Sequence, residues 1–130
     1  MTKLRSFETK QDKQNFILTA NVLALTMKSR GYPLRLTKGL PPMVAECEGD
    51  VWASLELTMP DGTMVDFTLT DQNDFSLAAF VGDDQMPLAE SEAAPFTYPA
   101  ALDALELLLK ETGQNPLTKH LMIERGMNNA

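Results

Sequence analysis

MVAECEGDVWASLELTMPDGTMVDFTLTDQNDFSLAAFV, residues 43–81, decides the fold. Val51, Ala53, Leu55, Leu57 and Met59 alternate with Trp52, Ser54, Glu56 and Thr58, the period of a strand with one buried face. Pro60-Asp61-Gly62 then turns the chain, and Val65, Phe67 and Leu69 alternate with Met64, Asp66, Thr68 and Thr70. Asp71 to Asp74 closes that run, and a fourth spans Phe75 to Val81 before Gly82-Asp83-Asp84. Upstream, Met43, Ala45 and Cys47 alternate with Val44, Glu46 and Glu48 up to the Gly49-Asp50 turn. Connections this short require antiparallel neighbours, because a parallel pair needs a crossover of about a dozen residues.

Before this block, Thr9 followed by Asp12 forms a capping signal, and Gly31-Tyr32-Pro33 a stop, so a helix is predicted over about 10–30. Its apolar residues are broad: Phe16, Ala20, Leu23 and Met27 form one stripe, and Leu18, Val22 and Leu25 widen it, which predicts cover on more than one side. Leu34-Arg35-Leu36 reads as a short extended piece, and residues 85–96 as an irregular acidic loop. A second helix begins near Pro99 and ends before Gly113, burying Ala101, Leu102, Leu105, Leu108 and Leu109. A third, short helix follows Asn115-Pro116 and stops at Gly126. The expected fold is α+β: one domain over 1–130 with a four-stranded antiparallel meander. One N-terminal and two C-terminal helices pack on one face of the sheet, and residues 1–8 and 127–130 fray.

A chain of 130 residues supports one core without a disulfide or metal. Cys47 is the sole cysteine and MTKLRSFETK lacks the apolar region of a secretory signal, so a reducing cytoplasmic setting is expected. The best membrane candidate, Phe16 to Met27, is short and interrupted by Thr19, Asn21 and Thr26, which excludes a spanning role on this reading. The net charge of −7 is unevenly placed. Residues 1–38 carry eight Lys or Arg against Glu8 and Asp12, whereas residues 39–109 hold fourteen acids and no Lys or Arg. Such a segment repels nucleic acid and attracts basic partners, unless the basic ends fold back and neutralise it.

The chemistry available is limited. Cys47 lies between two glutamates on the side of Met43 and Ala45, the setting of a buried inert thiol. His120, the only histidine, sits beside Lys119 and is expected to face solvent. One Cys and one His cannot make a usual zinc set. The stretch DQNDFSLAAFVGDD matches a calcium loop at Asp71 and Asn73, then fails where Phe75 and Ser76 replace a ligand and the glycine. Neither phosphate-binding glycine motif occurs, and no cofactor or metal is expected.

What remains is a surface. Pairing the apolar positions of neighbouring runs sets Cys47 near Ala53, Leu57 near Phe67 and Leu69 near Leu77. Glu46, Glu48, Trp52, Glu56, Asp66 and Phe80 then share the opposite face, with Asp83 and Asp84 beyond it. An aromatic anchor ringed by carboxylates suits a protein interface. The expected function is therefore non-enzymatic: these eight residues engage, and in one form inhibit, a basic protein, with no direct nucleic acid or membrane contact. A homodimer is compatible with it. One alternative is a small assembly factor or chaperone binding an extended client polypeptide at a sheet edge. Its size, acidity and element order are broadly similar to secretion chaperones, without a motif that carries the likeness. The other alternative is an enzyme using paired carboxylates such as Glu56 and Asp66.

Overall fold

The computed structural model describes residues 7–81 and 86–114. It is an α+β arrangement in the order α1 (Lys10–Ser29), β1 (Arg35–Leu36), β2 (Met43–Cys47), β3 (Asp50–Thr58), β4 (Thr63–Thr70), β5 (Asp74–Val81), β6 (Ala89–Glu90), β7 (Ala94–Pro95) and α2 (Tyr98–Glu111). Both helices are set by local signals. Thr9 Oγ1 accepts the Asp12 N–H at 3.0 Å and Thr97 Oγ1 accepts that of Ala100 at 3.1 Å, so each helix opens on a side-chain cap. Each closes on a glycine in the left-handed region, Gly31 at φ 98° and Gly113 at φ 89°. Tyr32 N–H then returns to Met27 C=O and Gln114 N–H to Leu109 C=O, bonds that need the reversal glycine makes at low cost.

The sheet is antiparallel throughout, with strand order β1-β3-β4-β5-β6; β2 also lies on β3, and β7 on β5. Among the described residues it has seven strands, not four. The long β3, β4 and β5 form its centre, and each edge consists of two short strands in line. Arg35↔Thr58 and Met43↔Ser54 differ by eight residues on the edge but four on β3, so residues between β1 and β2, including Pro41-Pro42, bulge out of the ladder. On the other edge, Ala89↔Ala79 and Ala94↔Phe75 show a one-residue bulge between β6 and β7. The predicted irregular loop therefore contains two strands. Two-residue strands leave too little sequence for alternation to register. The third helix and His120 fall outside the described residues.

The core lies between one sheet face and the helices. Val51, Ala53, Leu57, Val65, Phe67, Leu69, Leu77 and Ala79 are buried on that face. Phe16 and Ala20 of α1 and Leu105 and Leu108 of α2 are buried with them. Phe16 stacks on Phe67 with ring centroids 5.5 Å apart, which fixes α1 over the middle of the sheet. Phe7, expected in a frayed end, is fully buried and meets Phe16 edge-on at 5.7 Å. The broad apolar face of α1 is only half used. Leu18 and Leu25 remain 61% and 57% exposed, because the stripe opposite Phe16 and Met27 points away from the sheet.

Pairing within the sheet differs from expectation in register. Leu55, not Leu57, pairs with Phe67, and Leu69 pairs with Phe75, while Phe67 takes Leu77. Cys47 pairs with Asp50 rather than lying near Ala53, and it is exposed, not buried. The two-residue Glu48-Gly49 turn explains this. It places Cys47 on the same face as Asp50 and Trp52, so Met43, Ala45 and Cys47 belong to the face away from the helices, and Val44 and Glu46 to the helix side.

Candidate functional site

The face of the sheet away from the helices carries Trp52, Glu56, Asp66 and Phe80, and among the described residues no helix lies over it. Cross-strand registers order it into rows. Ala45, Trp52 and Thr70 make one; Met43, Ser54, Thr68 and Ser76 make the next. Glu56, Asp66, Ala78 and Glu90 form the third, and Arg35, Thr58, Met64 and Phe80 the fourth. Trp52 and Phe80 are half-buried at opposite ends, about 20 Å apart along the strands at roughly 3.3 Å per residue. They do not make one aromatic patch.

The acidic row lies nearer the Phe80 end. Glu56 and Asp66 are directly opposite each other, and Ala78 joins Asp66 to Glu90. Burial, and after it the Glu56 carboxylate, raise the Asp66 carboxyl above its usual value of 3.8. Asp66, Thr68, Ser76, Ala78, Glu90 and Ser91 line a shallow depression of about 290 Å³ between β4, β5 and β6. Its floor is set by two bonds: Ser91 Oγ accepts the Leu77 N–H at 2.9 Å, and Ser91 N–H donates to Leu77 C=O at 2.9 Å. The hydroxyl row beside it is ordered, with Ser54 Oγ 2.9 Å from Thr68 Oγ1. The depression thus offers oxygen acceptors and negative charge, the chemistry that holds an ammonium or guanidinium group.

The remaining predicted residues fall elsewhere. Glu46 lies in the row of Val51 on the helix side, and Glu48 occupies the β2–β3 turn at φ 53°. Asp83 and Asp84 are outside the described residues. Glu90 and Ser76 were missed by sequence reading; Glu90 sits in a two-residue strand, too short to show a period. Two other aspartates of the central block, Asp71 and Asp61, are structural. Asp71 is fully buried, its Oδ2 accepting the Val51 N–H at 3.2 Å while its own N–H donates to Val51 C=O at 2.8 Å. Asp61 Oδ1 accepts the Thr63 N–H at 2.9 Å and Oδ2 that of the Gln114 amide at 2.6 Å. The Gln114 bond is the leading cause that holds the Asp61 carboxyl below 3.8.

Arg30 does reach acids, but on the helices: its Nη1 is 3.6 Å from Glu106 and 3.9 Å from Asp103 of α2. Among the described residues no group of three His, Cys, Asp or Glu is placed to hold a metal ion, and no helix is long and apolar enough to cross a membrane. The fold and this face define a small α+β protein with one helix-covered sheet face and an acidic one that no helix covers among the described residues. Compared with family models, curated proteins and solved structures, the chain matches none.

Proposed function

We propose that the protein is a non-enzymatic binding module whose acidic sheet face engages a basic protein. The observation that supports this reading is the row Glu56, Asp66 and Glu90 beside a polar depression, flanked by Trp52 on one side and by Met64 and Phe80 on the other. Arg35, at the β1 corner, is the one base that register places on this face among the described residues. Aromatic and apolar anchors at the ends supply contact area, and the carboxylates between them select sign of charge.

Affinity capture from the native cell tests it, with wild type and an E56Q/D66N double variant used as bait. Raising the salt from about 0.01 M to about 1 M shortens the screening length from roughly 30 Å to 3 Å. A basic partner retained at low salt, lost at high salt and lost with the double variant is expected. Retention indifferent to both changes would remove the acidic row from the explanation.

A further inference from the structure

The outer edge of β2 presents backbone groups that β3 does not use. Glu48 and Gly49, at φ 53° and 86°, form a two-residue turn with both central residues at positive φ, and Cys47↔Asp50 closes it. In such a hairpin the closing pair exchanges hydrogen bonds, and bonded and non-bonded pairs then alternate. Met43, Ala45 and Cys47 therefore direct N–H and C=O at β3. Val44 and Glu46 direct theirs away from the sheet. The partner strand agrees: Val51, opposite Glu46, turns its own N–H and C=O toward Asp71 on the β4 side.

We infer that this edge accepts an extended basic segment of the partner as an added strand, hydrogen bonded to Val44 and Glu46. The inference rests on the basic-partner reading above and gives it a binding mode. Exposed Glu46, Glu48 and Asp50 flank the edge, and residues 39–109 contain no Lys or Arg, so the charge complements a cationic strand. A second copy of this chain would set net charge −7 against −7. Met43, 71% exposed, supplies apolar contact at one end. A lysine or arginine opposite Glu46 meets its carboxylate on the helix side. A residue opposite Ala45 lies in the Trp52 row, because Ala45 is the cross-strand partner of Trp52. Pro42, the next outward position, has no N–H, so the docking segment is short at that end.

The two outward residues allow a clean test. Proline is tolerated in an edge strand where its missing N–H faced solvent, so V44P and E46P remove the docking donors and leave the β2–β3 ladder intact. A45P removes a ladder bond and serves as the destabilised control. The probe is a synthetic peptide of alternating lysine and valine, with a glutamate–valine peptide for comparison, titrated into the full chain at low salt and followed by fluorescence anisotropy. The basic peptide is expected to bind and the acidic one not; V44P and E46P each weaken binding about tenfold or more, E46P at unchanged melting temperature and V44P with a lowered one, because Val44 also packs against the core. Amide exchange at Val44 and Glu46 of the wild type is expected to slow on binding, a readout that stands even if a proline variant fails to fold. Full-strength binding by both proline variants, or no slowing at those amides, overturns the edge mode and leaves the acidic face standing. Equal binding of both peptides overturns both readings. A dimer of the chain alone that V44P dissociates assigns the edge to a second copy and overturns the inference.

Discussion

Replacing Asp66 with asparagine is expected to make the protein more stable and a poorer binder. Odd-numbered residues of β3 bond toward β4, a pattern that Met59, just past the strand, continues through its N–H to Thr63 C=O, so Glu56↔Asp66 is a non-bonded pair, the type whose side chains approach most closely. Like charges directly opposite in a sheet cost roughly 0.2–1 kcal/mol. With an unfolding entropy of about 2.1 cal/mol/K per residue, or about 0.27 kcal/mol/K for a chain of this length, D66N gains about 1–4 °C at neutral pH. Asparagine keeps the shape and part of the hydrogen bonding, so the difference isolates charge.

The pH dependence supplies the check on cause. The folded protein holds the Asp66 proton to higher pH than the unfolded chain does, because burial and then Glu56 disfavour the carboxylate. Wild-type stability is therefore free of this penalty below the unfolded value near 3.8, and loses ground as pH climbs through the raised folded value. D66N lacks that decline. Scanning calorimetry of both proteins from acid to neutral pH should show melting temperatures that converge at the acid end and separate above it. A variant less stable at neutral pH, or a gain of equal size at both ends, refutes the argument. Weaker capture of the basic partner by a more stable variant is the pattern of a charge kept for binding at the expense of folding.

Truncating Asp71 in D71A leaves the buried Val51 N–H without its Asp71 acceptor and is expected to cost about 1–3 kcal/mol in urea unfolding followed by Trp52 fluorescence; D71N, which retains an oxygen there, recovers part of it. F67A removes the ring on which Phe16 stacks and should cost about 3–5 kcal/mol in the same assay. L18E and L25E, at exposed positions of α1, should change stability by no more than about 0.5 kcal/mol, and a larger loss would mean that this stripe is covered in solution.

The helices α1 and α2 were legible because their determinants are local. Thr9 and Gly31 bound α1, and the start near Pro99 and the stop at Gly113 bound α2, each within a turn of the signal. The runs that became β3 and β4 were legible because eight or nine residues of near-strict alternation sit between turn signals, and β5 because an apolar run of strand length stands between two turns. β2 was misread in facing because five residues offer apolar side chains on both parities, Met43, Ala45 and Cys47 against Val44. The Glu48-Gly49 turn, not the pattern, chooses between them. The edge strands β6 and β7 were invisible for want of length. Trp52, Glu56, Asp66 and Phe80 followed from the long runs of β3, β4 and β5; Glu90 and the outer edge at Val44 and Glu46 required the registers.

Those registers also change what the uneven charge of the chain means. The bases of residues 1–38 could have folded back onto the acids of the middle, and in part they do: Arg30 reaches Asp103 and Glu106, so α1 spends a guanidinium within the helical layer. Lys10, Lys13 and Lys28 are exposed on that same helix, on the far side of the sheet from Glu56 and Asp66. Among the described residues, Lys10, Lys13 and Lys28 stand behind the core and Glu56, Asp66 and Glu90 in front of it, with Arg35 at a corner of the acidic face and Asp103 and Glu106 in the helical layer. Across that low-dielectric core the two sets cannot pair directly, so the field of the Glu56, Asp66 and Glu90 row extends outward into solvent. On the proposed reading such a field would repel phosphate backbones and draw cationic side chains. An added strand on β2 would enter from the edge nearest Trp52, while the acidic row lies across β3, β4 and β6 toward the Phe80 end. A basic segment that pairs with β2 and then turns onto the face would meet the hydrogen-bonding edge first and the charge second, which assigns register to the backbone and sign selection to the carboxylates.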